Sequence, residues 1–253
     1  MTLPVLSTRD LTIRFGGHVA VDHVTCDFDR GTLTAIVGPN GAGKTTYFNL
    51  ISGQLPASEG SVTLNGEDIT RLSVAARTQK GIGRAFQLTS LFPNLSVREN
   101  VRLVVQSKAG IGFNMLSLAE THRELIAKAE TILAQVHLAD KADVNVATLS
   151  HGDQRKLEVA LLVALAPDVV MLDEPTAGMS IDEVPVILDL IAELKRDNNK
   201  TILLVEHKMD VIRSLADRIV VLHNGKLVAD GAPAEVIASP IVQEAYLGVA
   251  ADA

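Results

Sequence analysis

The sequence predicts an α/β fold on a mostly parallel sheet, and three observations carry that expectation. Residues 169–172, Val-Val-Met-Leu, are apolar at every position, the pattern of a central parallel strand covered on both faces. From residue 182 onward, helical and extended stretches alternate: helix 182–196, strand 201–205, helix 208–215 and strand 218–222, as in a parallel sheet with helical crossovers. The apolar run 33–37 enters a glycine-rich loop and then a helix that reaches about Ser52, a strand–loop–helix unit.

Residues 11–15 and 21–28 alternate apolar and polar side chains around Gly16-Gly17, as two antiparallel strands do. Beyond the loop and its helix, residues 61–66 read as a strand ending in the Asn65-Gly66 turn. Residues 81–93 are loop-like and polar, and place Gln87 at the surface. Residues 97–107 and 118–136 carry apolar side chains at helical spacing, with Ile126, Ala129, Leu133 and Val136 on one face. Between them, residues 110–116 are apolar without a period and fit either a buried connector or a hydrophobic contact surface. Ser150 is placed to cap a helix whose inner face holds Leu157, Ala160, Leu161 and Ala164 and which Pro167 ends. Asn224-Gly225 turns strand 218–222 into a hairpin with residues 226–229.

A chain of 253 residues has room for one large α/β domain, or for a core domain carrying a smaller lobe. Cys26 stands alone and no Cys/His cluster has zinc spacing, so a reduced, cytosolic setting is expected. With 23 basic against 30 acidic side chains the formal net charge is -7 and no basic tract stands out, which argues against a nucleic-acid partner. Residues 1–10 lack the apolar core of a signal peptide. The most apolar stretch, 159–172, is broken by Pro167 and Asp168 and is shorter than the ~20 residues a bilayer requires. The chain is therefore expected to be soluble and to meet a membrane only through a partner.

The loop after residues 33–37 comprises Gly38, Pro39, Asn40, Gly41, Ala42, Gly43, Lys44, Thr45 and Thr46, and fills the pattern G-x-x-x-x-G-K-[ST]. Its glycines let backbone N–H groups turn inward around an anion with no Cβ in the way. The helix opening at Gly43 brings its positive dipole end to the same charge. Lys44 is placed to reach the β- and γ-phosphates of a nucleotide, and the Thr45 hydroxyl to coordinate Mg²⁺. A glycine-rich turn without a ligand is the alternative, and the complete pattern in its strand–loop–helix setting argues against it.

Asp173 follows strand 169–172 at its carboxyl end, the edge where open α/β sheets bind ligands, and can hold Mg²⁺ directly or through water. Glu174 beside it can orient a water toward the γ-phosphorus and take its proton. Two solvated acids at a strand end are the bland alternative. His207 leaves the next strand at the same edge, where an imidazole can sense the γ-phosphate. The ring of Phe15 fits either an adenine-stacking platform or a residue at the edge of the core.

Leu149-Ser-His-Gly-Asp-Gln154 completes an ordered set: Phe15, the loop 38–45, Gln87, 149–154, Asp173 with Glu174, and His207. That set resembles the ATP-binding cassette (ABC) family, whose common signature is Leu-Ser-Gly-Gly-Gln, from which His151 and Asp153 depart. The resemblance implies a P-loop NTPase core with a mostly parallel sheet, an N-terminal antiparallel β subdomain and an inserted α-helical subdomain. It makes residues 1–253 a single ABC ATPase domain, with the core in 1–90 and 167–253 and the helical subdomain at about 91–166. By the same resemblance Phe15 stacks on adenine, Lys44, Thr45 and Thr46 bind phosphates and Mg²⁺, and Gln87 touches Mg²⁺ and the attacking water. Ser150 and Gly152 contact the γ-phosphate held by a second ABC ATPase subunit, identical or different, so that ATP joins the two and hydrolysis releases them. The family's usual Ser-Ala-Leu-Asp after Asp173-Glu-Pro-Thr is here Ala177-Gly-Met-Ser180, which can hydrogen-bond but carries no charge.

Within the family, Arg14-Phe-Gly-Gly with Ala20-Val-Asp22, the apolar insertion before the signature, and Glu244-Ala-Tyr-Leu-Gly248 are similar to subunits of branched-chain amino-acid importers. Such a subunit is expected on the cytoplasmic face of the inner membrane as a peripheral protein. It docks on integral permeases through the surface 86–100 and is served indirectly by a periplasmic or extracellular solute-binding protein, without nucleic acid. Urea and aromatic-acid uptake are alternatives. A soluble non-transport ABC protein is a further one, against which stand the single cassette and the absence of a long coiled coil. A subunit that binds ATP without efficient cleavage is disfavoured by Glu174 and His207.

Overall fold

Hydrophobic alternation at the start of the chain resolves into two long strands, β1 (Leu6–Phe15) and β2 (His18–Phe28), paired antiparallel from Leu6↔Phe28 to Phe15↔His18. The computed structural model describes residues 3–85, 91–111, 118–196, 198–240 and 242, with the backbone alone for 118–122. After β3 (Leu33–Val37) and α1 (Lys44–Ser52), the chain adds β4 (Glu59–Leu64) and β5 (Glu67–Asp68) to the first sheet, in order β2-β1-β4-β5. Next come α2 (Val74–Gln79) and β6 (Ile82–Ala85), and a helical stretch of α3 (Val97–Lys108), α4 (Leu118–Gln135) and α5 (His151–Leu165). The chain then alternates through β7 (Val169–Asp173), α6 (Val184–Arg196), β8 (Thr201–Val205), α7 (Met209–Leu215) and β9 (Arg218–His223). It closes with β10 (Lys226–Gly231) and α8 (Pro233–Ala238).

The second sheet has the order β10-β9-β3-β8-β7-β6. β3 pairs parallel with β8 and with β9, β7 pairs parallel with β8, and β10 is antiparallel to β9. Every residue of β3, β7 and β8 is buried, which accounts for their mostly apolar sequences. Successive side chains go to opposite faces: Ile36 packs in a cluster with Tyr47, Phe48, Met171 and Leu203, while Ala35 and Val37 join Ile212, Ile219 and Val236. Each large aliphatic side chain buried this way stabilises the fold by about 1.5–3 kcal/mol.

The chain divides into two compact units. The first holds Met1–Arg84, Asp168–Glu174 and Ala192–Ala253, and so contains the loop after β3 and the carboxyl ends of β7 and β8. Inside it, Arg77 of α2 is 2% exposed and donates to the carbonyls of Leu50 and Ile51 (both 2.6 Å), Thr70 (2.7 Å) and Leu72 (3.2 Å). Two of those carbonyls belong to the last turn of α1, which Arg77 thereby satisfies at the end opposite the loop.

The second unit holds Ala85–Pro167 and Pro175–Ile191. Ser96 caps α3 by accepting from Glu99 N–H at 3.2 Å. Buried Asn100 accepts from Phe92 N–H at 2.8 Å and donates to the carbonyls of Phe92 and Ser96. The inner face of α4 holds Ala129 and Leu133 as expected, with Leu125 and Ile132 buried beside them, Val136 buried just past its end, and Ile126 half-buried.

Two expectations are corrected. Residues 82–85 are not loop but the edge strand β6, beginning where Val169 N–H donates to Gly81 O at 2.9 Å. Gly83 and Arg84 break any periodic signal in so short a run, and pairing with a strand distant in sequence decides the conformation. On α5, Leu157, Ala160 and Ala164 are buried as expected, while Leu161 is only half-buried and Leu162 is buried in its place. Gln87, residues 112–116 and residues 244–248 lie outside the described residues. Among the described residues no helix is long and apolar enough to cross a membrane.

Candidate active site

The loop between β3 and α1 is shaped by what glycine permits. A Cβ on Gly38, at φ +153, would stand 2.1 Å from Leu222 O, and one on Gly43, at φ +96, would stand 2.5 Å from Ala20 O. The loop therefore packs backbone against backbone on β9 and β2, which no larger residue allows. Ala42 N–H donates to Pro39 O at 3.1 Å, and Gly225 N–H to Ala42 O at 3.1 Å, so the sides of the loop are fixed. Gly43 caps α1 in the left-handed conformation without a side-chain cap, and the first turn of α1 holds no acidic residue. The N–H groups of that turn are thus presented as an anion-receiving end.

Lys44 curls back over the loop, its Nζ donating to Gly38 O at 2.7 Å and Pro39 O at 3.0 Å. Burial lowers its pKa, and the charges of Glu174 and Asp173 act against that shift. A cavity of about 310 Å³ is lined by His18, Ala20, residues 40–46, Glu174 and His207. The sheet order explains the convergence: β8 neighbours both β3 and β7, so the carboxyl ends of the three strands deliver the loop, Asp173 with Glu174, and His207 to one edge.

Glu174 stands at φ +50, and its N–H donates to Val205 O at 2.9 Å. A non-glycine residue held there stores about 1–3 kcal/mol of strain, a feature concentrated at working sites. His207 Nε2 lies 2.8 Å from Glu174 Oε1, with both side chains partly exposed to the cavity. His207 N–H is itself fixed by the Glu206 carboxylate at 2.7 Å. Asp173 is buried at 5% exposure, and Arg84 NH2 donates to its Oδ2 at 2.8 Å. Burial raises the pKa of Asp173 and the Arg84 guanidinium opposes the rise. The donor set of a Thr45 hydroxyl and an Asp173 carboxylate is oxygen only, which suits a hard divalent cation.

Phe15 ends β1 with half its surface exposed, as an aromatic platform needs, and is not among the residues lining the cavity. Ser150 and Gly152 belong to the second unit. Ser150 caps α5, accepting from Asp153 N–H at 3.2 Å and donating to Asp153 Oδ2 at 3.0 Å. Asp153 also pairs with Lys141 and Lys156, which gives this departure from the common signature a local role. A Cβ on Gly152 would stand 2.1 Å from Glu183 Oε1, while Glu183 Oε2 accepts from the N–H and hydroxyl of Ser180.

Two residues of the first unit carry little local signal in the sequence. His18 lines the cavity but precedes the loop by a whole strand, and nothing in its sequence neighbourhood marks it. Arg84 lies in a segment whose sequence resembles a loop, and its one signal is a lone Arg just before Gln87.

A family model described as ABC transporter matches residues 21–177, and one described as branched-chain amino acid ATP-binding cassette transporter matches residues 226–252. The chain is 38% identical over 257 residues to the high-affinity branched-chain amino acid transport ATP-binding protein BraF of Pseudomonas aeruginosa, covering 99% of this chain and 100% of the relative. Among solved structures, the ADP conformation of MJ1267, an ATP-binding cassette of an ABC transporter, superposes with TM-score 0.82 at 30% identity, covering 98% of this chain and 100% of that one. A dimeric post-hydrolysis state of the cassette MJ0796, bound to ADP and Pi, superposes with TM-score 0.77 at 25% identity, covering 90% of this chain and 98% of that one. With its glycine-lined loop, paired Glu174 and His207, capped Ser150 and likeness along its full length, this chain belongs to the ATP-binding subunits of the ABC transporter family.

Proposed function

We propose that this protein binds and hydrolyses ATP to power import of branched-chain amino acids through partner permeases. The observation that carries the reading is the convergence of the Lys44 loop with the Glu174–His207 pair on one 310 Å³ cavity. The cargo rests on likeness to importer subunits along nearly the whole chain.

Lys44 is already oriented into its loop by two carbonyls, and an incoming β,γ-phosphate offers the same ammonium a charge-assisted contact, the stronger kind of hydrogen bond. Residues 40–46 supply backbone N–H groups to the phosphates, and Phe15 stacks on the adenine. Thr45, Asp173 and Gln87 would hold Mg²⁺. When bound there, it would supply positive charge that offsets that of the phosphates. Glu174 takes the proton of the attacking water. His207, held 2.8 Å from Glu174, orients that carboxylate and reports on the γ-phosphate. Ser150 and Gly152 close on the nucleotide of a second cassette, identical or related. The protein works at the cytoplasmic face of the membrane, docked on permeases through residues 86–100 and fed by a solute-binding protein.

Reconstitution with its permease pair and solute-binding protein in vesicles tests the proposal. ATP-dependent accumulation of radiolabelled leucine is expected, abolished by Lys44→Ala. Phosphate release that responds to urea or an aromatic acid, with no leucine uptake, would overturn the cargo. No release above the Lys44→Ala background would overturn the ATPase reading itself.

A further inference from the structure

A buried cation stands behind the proposed metal ligand. Arg84 lies on β6, with its side chain 9% exposed, and NH2 of its guanidinium holds Asp173 Oδ2 at 2.8 Å. On the same guanidinium, NH1 donates to Asn49 Oδ1 (2.7 Å), Ser52 Oγ (2.9 Å) and Gln54 Oε1 (3.1 Å). Its plane also lies over the Phe48 ring, 5.5 Å from the centroid. Asn49 and Ser52 belong to α1, the helix that begins at Lys44 and carries Thr45. One planar fork therefore ties the carboxylate at the end of β7 to the helix that bears Thr45, a second proposed cation ligand.

A buried ion pair contributes little net stability, because desolvating both charges offsets most of their attraction. What such a pair does fix is geometry. The fork engages one carboxylate oxygen of Asp173 and locks the side chain's rotamer. We propose that Arg84 is a positioning residue, setting the Asp173 carboxylate relative to Thr45 so that a divalent cation bound with a nucleoside triphosphate meets both ligands without reorganisation. The inference rests on Asp173 and Thr45 serving as cation ligands, as proposed above. A lysine could not replace it: a point charge lacks the fork that spans four acceptors.

The test is equilibrium binding of a fluorescent ATP analogue to the full-length chain, titrated with MgCl₂ and repeated in EDTA. Wild type binds more tightly as Mg²⁺ is added. Arg84→Met is expected to keep its affinity in EDTA, while the Mg²⁺ concentration for half-maximal enhancement rises about tenfold, one lost ordering contact of roughly 1.4 kcal/mol. Asn49→Ala, which keeps the charge and removes one anchor, is expected to raise that concentration about threefold and decides the matter if Arg84→Met does not fold. Mn²⁺ bound with the nucleotide, followed by electron paramagnetic resonance, is expected to show a broadened ligand field in both variants. Unchanged Mg²⁺ dependence in both variants, or tighter Mg²⁺ binding without Arg84, overturns the proposal. A wild-type protein that binds nucleotide equally with and without Mg²⁺ overturns the ligand assignment beneath it instead.

Discussion

Replacing Glu174 by Gln changes chemistry while sparing shape. The residue is held at φ +50 by the N–H it donates to Val205 O, a backbone contact that glutamine keeps. Its side chain retains an oxygen for the 2.8 Å contact with His207 Nε2, so the pair survives. What is lost is the ability to take a proton from water. A positioned general base contributes about 10² to 10⁴ in rate, equivalent to roughly 3–5 kcal/mol of barrier. Glu174→Gln should therefore lower phosphate release at saturating ATP and Mg²⁺ at least a hundredfold. Affinity for a fluorescent nucleotide should stay within about twofold, because the Lys44 loop is untouched. Turnover within tenfold of wild type would refute the assignment of the base.

Arg77→Met removes four hydrogen bonds to carbonyls of α1 and its neighbours from a side chain only 2% exposed. The loss should cost about 3–5 kcal/mol and lower the thermal midpoint by roughly 10 °C, read by scanning fluorimetry. Gly43→Ala places a Cβ 2.5 Å from Ala20 O and should weaken nucleotide binding by about tenfold or more, with α1 still formed by circular dichroism. Burial pushes the pKa of Asp153 up, but hydrogen bonds from Lys141, Lys156 and Ser150 prevail and hold it below its ordinary 3.8. A depressed carboxylate stabilises above its unfolded value and ceases to as pH falls through the folded one. Asp153→Asn should accordingly melt lower than wild type at pH 7, the difference closing once the pH drops well below 3.8. A gap that persists in acid would assign the effect to packing.

The loop at 38–46 was legible because its chemistry is local: glycine spacing, Lys44 and Thr45 all lie within one turn of chain. Asp173, Glu174 and His207 were legible as residues just past apolar strands, and the parallel pairing of β7, β8 and β3 brings those strand ends together. Arg84 and Arg77 were not legible, since each acts through partners far away in sequence: Asp173 for the first, the carbonyls of α1 for the second. The edge strand β6 was missed for the same reason, being too short to show a period before its partner is known. In the sequence Asp153 shows only as a departure from a motif. Its meaning lies in Lys141 and Lys156, which the helical unit folds against it.

The most direct measurement is sedimentation of Glu174→Gln with ATP and Mg²⁺, alone and with any co-expressed sister cassette, in the presence and absence of Ser150→Arg. Two cassettes sharing nucleotide should sediment as a paired species only when ATP is present. Ser150→Arg should abolish that species without altering nucleotide binding by the Lys44 loop of the same chain. Pairing that needs no ATP, or that tolerates Ser150→Arg unchanged, would contradict the account.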